Sequence, residues 1–176
     1  MDMQLRASDI LEIVEEIEER RLQFYSCLGR FSRSPAVRLI CRHLVTRSRN
    51  LADTIMQWRT RSFGAPSTSA SGGAESRHHQ AMVSLAFFTG DHTEAYSMSH
   101  QATSGQIVSD AVRRSEQAVV FYEGLKEFAC EWAAIEAIDN IVCYEKQYLA
   151  ALTARTILPD RSFYQERQRT AVECCV

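Results

Sequence analysis

The chain has 176 residues, 45% of them hydrophobic and 24% charged, with a formal charge of -2. That length allows one domain with a sizeable core. The near-neutral charge gives no general electrostatic case for nucleic acid or an acidic membrane, and no run of about 18 uncharged apolar residues exists to span a bilayer. Seven Gly and three Pro favour long helices over a strand-rich fold. The N-terminal segment carries Asp2, Arg6, Asp9 and Glu12 and lacks the apolar core of a signal peptide, so the expectation is a soluble cytoplasmic protein.

The first helix is predicted over residues 8–33, with Ser8 as its N-cap. Ile10, Ile13, Val14, Ile17, Leu22, Phe24, Tyr25 and Leu28 supply its apolar face. Glu15, Glu16, Glu18, Glu19, Arg20 and Arg21 read mostly as a solvated face with i,i+4 pairs. Ser34 then caps a second helix over 35–62, with Pro35 at its first position. Its buried stripe runs through Val37, Ile40, Cys41, Leu44, Leu51, Ile55 and Trp58, and skips a turn where Arg47 and Ser48 stand. A flexible Gly/Ser-rich linker follows at about 64–77, then a short helix at 78–89, with 91–102 unassigned. The third helix covers about 103–128 and the fourth about 131–157, where Ala134, Ile138, Ile141, Glu145, Tyr148 and Leu152 share one face. Residues 159–176 read as a polar tail.

The connection between the second and third helices, roughly 40 residues, is too long for a tight turn between antiparallel neighbours. It fits a bundle in which one connection crosses its length. The expected fold is therefore all-α: residues 1–158 form a four-helix bundle of two helical hairpins with a long crossover between helices two and three. None of the six cysteines forms a Cys-x-x-Cys pair, which speaks against a zinc ribbon or a rubredoxin-type site. Cys27, Cys41, Cys130 and Cys143 read as buried thiols, and Cys174-Cys175 as part of a frayed terminus. His78, His79, His92 and His100 read as a solvated loop cluster.

Two stretches repeat one another: Glu19-Arg-Arg-Leu-Gln-Phe-Tyr25 and Glu116-Gln-Ala-Val-Val-Phe-Tyr122. From Glu19 to Arg47 is 28 residues and from Glu116 to Glu145 is 29, so the chain reads as two related hairpins. On that reading Glu19, Glu116 and Glu145 converge at one level of the bundle. Ionised carboxylates in a core cost several kcal/mol each unless paired or metal-bound. Iron or manganese is the usual partner of clustered carboxylates on bundle helices.

With these two Glu-x5-Tyr repeats and Glu145, the chain resembles the rubrerythrin-like branch of the ferritin-like superfamily over roughly 8–62 and 103–155. The resemblance implies a di-iron centre with one Glu on helices one and three and a Glu-x-x-His on helices two and four. Glu19 and Glu116 match the single carboxylates, and Glu145 the bridging Glu of helix four. Arg47 and Asn50 stand where the Glu and His of helix two are expected, and Tyr148 replaces the His of helix four. The site is thus a degenerate one, with Glu19, Glu116, Glu145, Tyr148 and Asn50 as remnants and no metal favoured. Arg47 is expected to bring a guanidinium to the place of the metals and bridge the three carboxylates. The expected protein lacks di-iron redox activity and acts as a binding or structural bundle, a homodimer or the subunit of an unidentified protein partner, with no nucleic acid and no membrane. The alternative is an iron- or manganese-dependent oxidase or peroxide reductase using the reduced set of Glu19, Glu116 and Glu145.

Overall fold

A computed structural model describes residues 4–63, 82 and 92–157. The 64–77 linker, nearly all of the 78–89 helix and the 159–176 tail lie outside the described residues. The described elements are α1 (Ala7–Phe31), α2 (Pro35–Phe63), α3 (His92–Gln101), α4 (Ser104–Leu125), a 3-10 turn (Lys126–Phe128) and α5 (Trp132–Ile157). The only strand-like pairing among the described residues is an isolated parallel bridge between Leu5 and Ala129.

The start of α1 differs from the sequence expectation. Arg6, not Ser8, is the N-cap residue. The Arg6 N–H donates to the Asp9 carboxylate at 2.8 Å, and the Ala7 N–H donates to Glu131 Oε1, also at 2.8 Å. Two orphan amides of the first turn are therefore satisfied by carboxylates, which also suit the positive end of the helix dipole. Ser34 does serve α2, its hydroxyl accepting the Val37 N–H at 3.4 Å. Thr103 and Gln106 form a reciprocal capping box at the head of α4.

α1 packs against α2, α3 and α5, and α4 packs against α5 and α2. α1 and α2 run antiparallel, since Glu15 pairs with Arg59 at one end while Gly29 meets Cys41 at the other. A Cβ on Gly29 would lie 2.9 Å from the Cys41 Cβ, so the helices approach here only because Gly29 has none. The core between the helices is continuous. It includes Ile10, Ile13, Ile17, Phe24 and Leu28 of α1, Leu51 and Ile55 of α2, Ile107 and Tyr122 of α4, and Ile138 and Ile141 of α5. Burying each such aliphatic or aromatic side chain contributes about 1.5–3 kcal/mol. Among the described residues no helix is long and apolar enough to cross a membrane.

Candidate functional site

Three helices each place charge inside this core. α1 supplies Glu18 and Arg21, α2 supplies Arg47, and α5 supplies Glu145; all four are buried. Glu18 and Arg21 lie three residues apart and so share a face. Arg47 fills the turn that the apolar stripe of α2 skips between Leu44 and Leu51, and Glu145 follows Ile138 and Ile141 on the inward stripe of α5.

The four groups form one alternating quartet. Arg21 Nη1 lies 2.9 Å from Glu18 Oε1 and 2.8 Å from Glu145 Oε1. Arg47 Nη1 lies 2.7 Å from Glu18 Oε2, and its Nη2 lies 2.5 Å from Glu145 Oε1. Two cations and two anions sum to zero, which is how an apolar interior accepts them. Burial alone would lower the Arg21 pKa, but the fields of Glu18 and Glu145 more than offset it and hold it well above the ordinary value. Arg47 is raised in the same way. Burial pushes Glu145 upward, but Arg21 and Arg47 together overcome it, so its carboxyl is held below the usual value.

Tyrosines enclose the quartet. The Arg47 guanidinium carbon lies 4.8 Å from the Tyr148 ring centre and 5.4 Å from that of Tyr144, two cation–π contacts one turn apart on α5. Burial pushes the Tyr148 phenol up to about 12 and raises Tyr122 well above its ordinary value, so both stay neutral across the working pH range.

A second ionic group lies beside the first. Arg114 of α4 is buried, donating from Nε to Asp110 at 2.6 Å and from Nη2 to Glu94 of α3 at 2.8 Å. Its guanidinium carbon stands 4.9 Å from the Phe24 ring centre. Between the two groups is a small cavity of about 10 Å³, walled by Arg21 and Tyr25 of α1, Leu44 and Arg47 of α2, Ala111, Arg114 and Ser115 of α4, and Tyr148 of α5.

The residues singled out from the sequence divide sharply. Glu145 and Arg47 are in the quartet, and Tyr148 stacks on Arg47. Glu19 and Glu116 are not inside: both are exposed, and Glu19 accepts a hydrogen bond from Gln23 on the helix surface. Asn50 is exposed too. Arg47 therefore bridges Glu18 and Glu145, not Glu19 and Glu116. The physical reason is helical phase. Six residues turn a helix by about 600°, which leaves Glu19 about 120° from the face of Tyr25; seven residues return to within about 20° of it. The buried partners of Tyr25 and Tyr122 are accordingly Glu18 and Ser115, each seven residues earlier. Glu18 and Arg21 were readable from that rule, since each continues the stripe of Val14, Ile17, Tyr25 and Leu28.

These residues do not fit a metal centre. The two buried carboxylates each face two guanidiniums, no histidine among the described residues joins them in a metal-binding group, and a cation would have to displace an arginine that cannot lose its charge. Among the described residues no group of three or more His, Cys, Asp or Glu side chains is arranged to hold a metal ion. The reduced ligand set of Glu19, Glu116 and Glu145 is not assembled.

Comparisons with protein-family models, with curated proteins and with solved structures return no match to this chain.

Proposed function

We propose that this chain is a ferritin-like four-helix bundle, built of two hairpins joined by a long crossover, in which an arginine–carboxylate quartet occupies the level where a di-metal centre would stand. Such a protein works as a binding or structural bundle, without di-iron redox chemistry, and assembles as a homodimer. The carrying observation is the quartet itself: Arg47 of α2, at the position of a bridging ligand in the resemblance, lies between Glu18 and Glu145. A fixed guanidinium there does electrostatically what a bound cation does, neutralising carboxylates inside a core, but offers no open coordination position and no change of oxidation state. The contacts of α1 with α2 and α5, and of α4 with α5 and α2, support the bundle.

Elemental analysis of protein from iron- and manganese-supplemented cells tests the reading, with Glu145→Gln as control. Less than about 0.1 metal per chain in folded wild type is expected. About two per chain, lost in the variant, would restore a di-metal centre and sink the proposal. Size-exclusion chromatography with light scattering reads the dimer separately.

A further inference from the structure

The charges of the α1–α2 hairpin are sorted by sign along its length. All six charged residues from Ala7 to Glu19 are acids, and all four from Pro35 to Asn50 are arginines. Glu18 and Arg47 are used in the quartet, and Glu15 on Arg59. The others form two stripes. At about 100° per residue, Asp9, Glu12, Glu16 and Glu19 fall within about 80° of one another on the side of α1 away from the core, and Arg38, Arg42 and Arg49 within about 40° on the outer side of α2. The stripes are about 15 and about 16 Å long. Because the helices run antiparallel, the acidic stripe lies toward the end of the hairpin where Glu15 meets Arg59, and the basic stripe toward the end where Gly29 meets Cys41. Glu16 pairs locally with Arg20, and Glu19 accepts a hydrogen bond from Gln23. Arg42 and Arg49 are exposed and make no ion pair among the described residues.

We propose that the outer face of this hairpin is the contact surface of a two-fold dimer, in which the acidic stripe of α1 meets the basic stripe of the partner's α2. The inference rests on the homodimer of the proposed function and names its face. A two-fold axis makes residue i contact residue j and j contact i, so each protomer supplies both signs and the pairing occurs twice. The matched lengths and opposite signs of the stripes fit that arrangement. A nucleic acid or an acidic peptide laid along the same face would run from the arginines onto the carboxylates, whereas a second copy carries the complement of both ends. Exposed ion pairs are individually weak; arrayed in this way they select the orientation and speed the encounter. Met56, 64% exposed and five turns beyond Arg38 on the same stripe of α2, adds apolar surface to the face.

Sedimentation equilibrium on the full chain and two charge-reversed forms tests it. One form carries Glu12→Arg with Glu19→Arg, the other Arg42→Glu with Arg49→Glu; all four positions are exposed, and circular dichroism with Tm checks that both forms fold. Each form alone is expected to dimerise at least about 30-fold more weakly than wild type, because like charges then face each other twice. Mixed in equal amounts, the two forms are expected to pair with one another, since each stripe again meets its opposite. Raising NaCl from about 0.05 to about 0.5 M is expected to weaken the wild-type dimer by about tenfold. A wild-type dimer indifferent to both reversals overturns this face and leaves the homodimer standing, and so does a mixture of the two forms that stays monomeric. A wild type monomeric at low salt overturns the homodimer and this face together.

Discussion

The two halves of the chain repeat a pattern and fill it differently. In α1 the positions seven and four residues before the buried Tyr25 hold Glu18 and Arg21; in α4 the positions seven and four before the buried Tyr122 hold Ser115 and Ala118. Each tyrosine is preceded by a phenylalanine at an edge-on angle, with ring centres 5.2 Å apart in α1 and 5.6 Å in α4. The first half therefore places Glu18, Arg21 and Arg47 in the quartet, a net of one positive charge, and the second half places only Glu145, one negative. Neither half is neutral alone. The lesson is that charge balance here belongs to the pairing of the halves: Glu145 of α5 meets Arg21 of α1 and Arg47 of α2, and the quartet is neutral only when all three helices are together.

The comparison breaks most visibly if the lone contribution of the second half is removed. Glu145→Ala leaves two buried guanidiniums facing one carboxylate and is expected to cost about 3–5 kcal/mol in urea denaturation. Adding Arg47→Met to a Glu145→Leu chain leaves Glu18 and Arg21 as a neutral pair. The double variant is expected to recover at least about 2 kcal/mol of the summed single losses, measured as a double-mutant cycle. Additive losses would mean that the two groups do not share one balance.

Acid offers a graded version of the same test. The folded carboxyl of Glu145 sits below its ordinary value of 4.5, so the unfolded chain binds its proton more readily than the folded one. Its contribution is complete above about pH 4.5 and falls as pH drops toward the folded pKa. Unfolding free energy measured from pH 6 to about pH 3 is expected to decline in wild type and to show a shallower decline in Glu145→Gln. At the alkaline end Tyr148, raised from 10.0 to about 12, works in the opposite sense: its contribution is present below pH 10 and is lost as pH rises toward 12.

Smaller effects sharpen the contrast between inside and outside. Glu131→Ala removes the carboxylate that accepts the Ala7 N–H and is expected to cost about 1 kcal/mol, read as a drop in Tm. Glu19→Ala and Glu116→Ala, at the exposed ends of the repeated motif, are each expected to change stability by less than about 0.5 kcal/mol. A loss near that of Glu145→Ala from either would restore the carboxylate cluster expected from sequence.

The helical elements were legible because their apolar stripes are long: the predicted ranges 8–33, 35–62, 103–128 and 131–157 each match a helix to within three residues at either end. α3 was not legible, since its apolar side chains are few and widely spaced. Within the site, Arg47 and Glu145 were readable as polar interruptions of otherwise apolar stripes, and Tyr148 as a neighbour on the same face. Glu18 was missed because the repeated motif drew attention to Glu19, where identity of letters outweighed the 3.6-residue period. Arg21 was assigned to the solvated run of charges around it. A run such as Glu15–Arg21 must turn through nearly two helical turns, so some of its members necessarily face the core. Arg114 was readable by the same rule, since it continues the stripe of Ile107, Ala111, Ala118 and Tyr122 with Asp110 four residues before it, whereas its second carboxylate, Glu94, comes from α3 and gave no local signal.

The contact between the head of α1 and the segment before α5 has a consequence for the order of assembly. The Leu5 N–H donates to Phe128 O at 2.7 Å, the Cys130 N–H donates to Leu5 O at 3.0 Å, and Glu131 holds the Ala7 N–H across 124 residues. A loop of that length closes slowly and only once the intervening helices are in place. The first turn of α1 is thus a latch shut by the segment that leads into α5. Its amides should gain protection from hydrogen exchange after those of mid-helix α1 during refolding, and should be the first in that helix to lose it when Glu131 is removed.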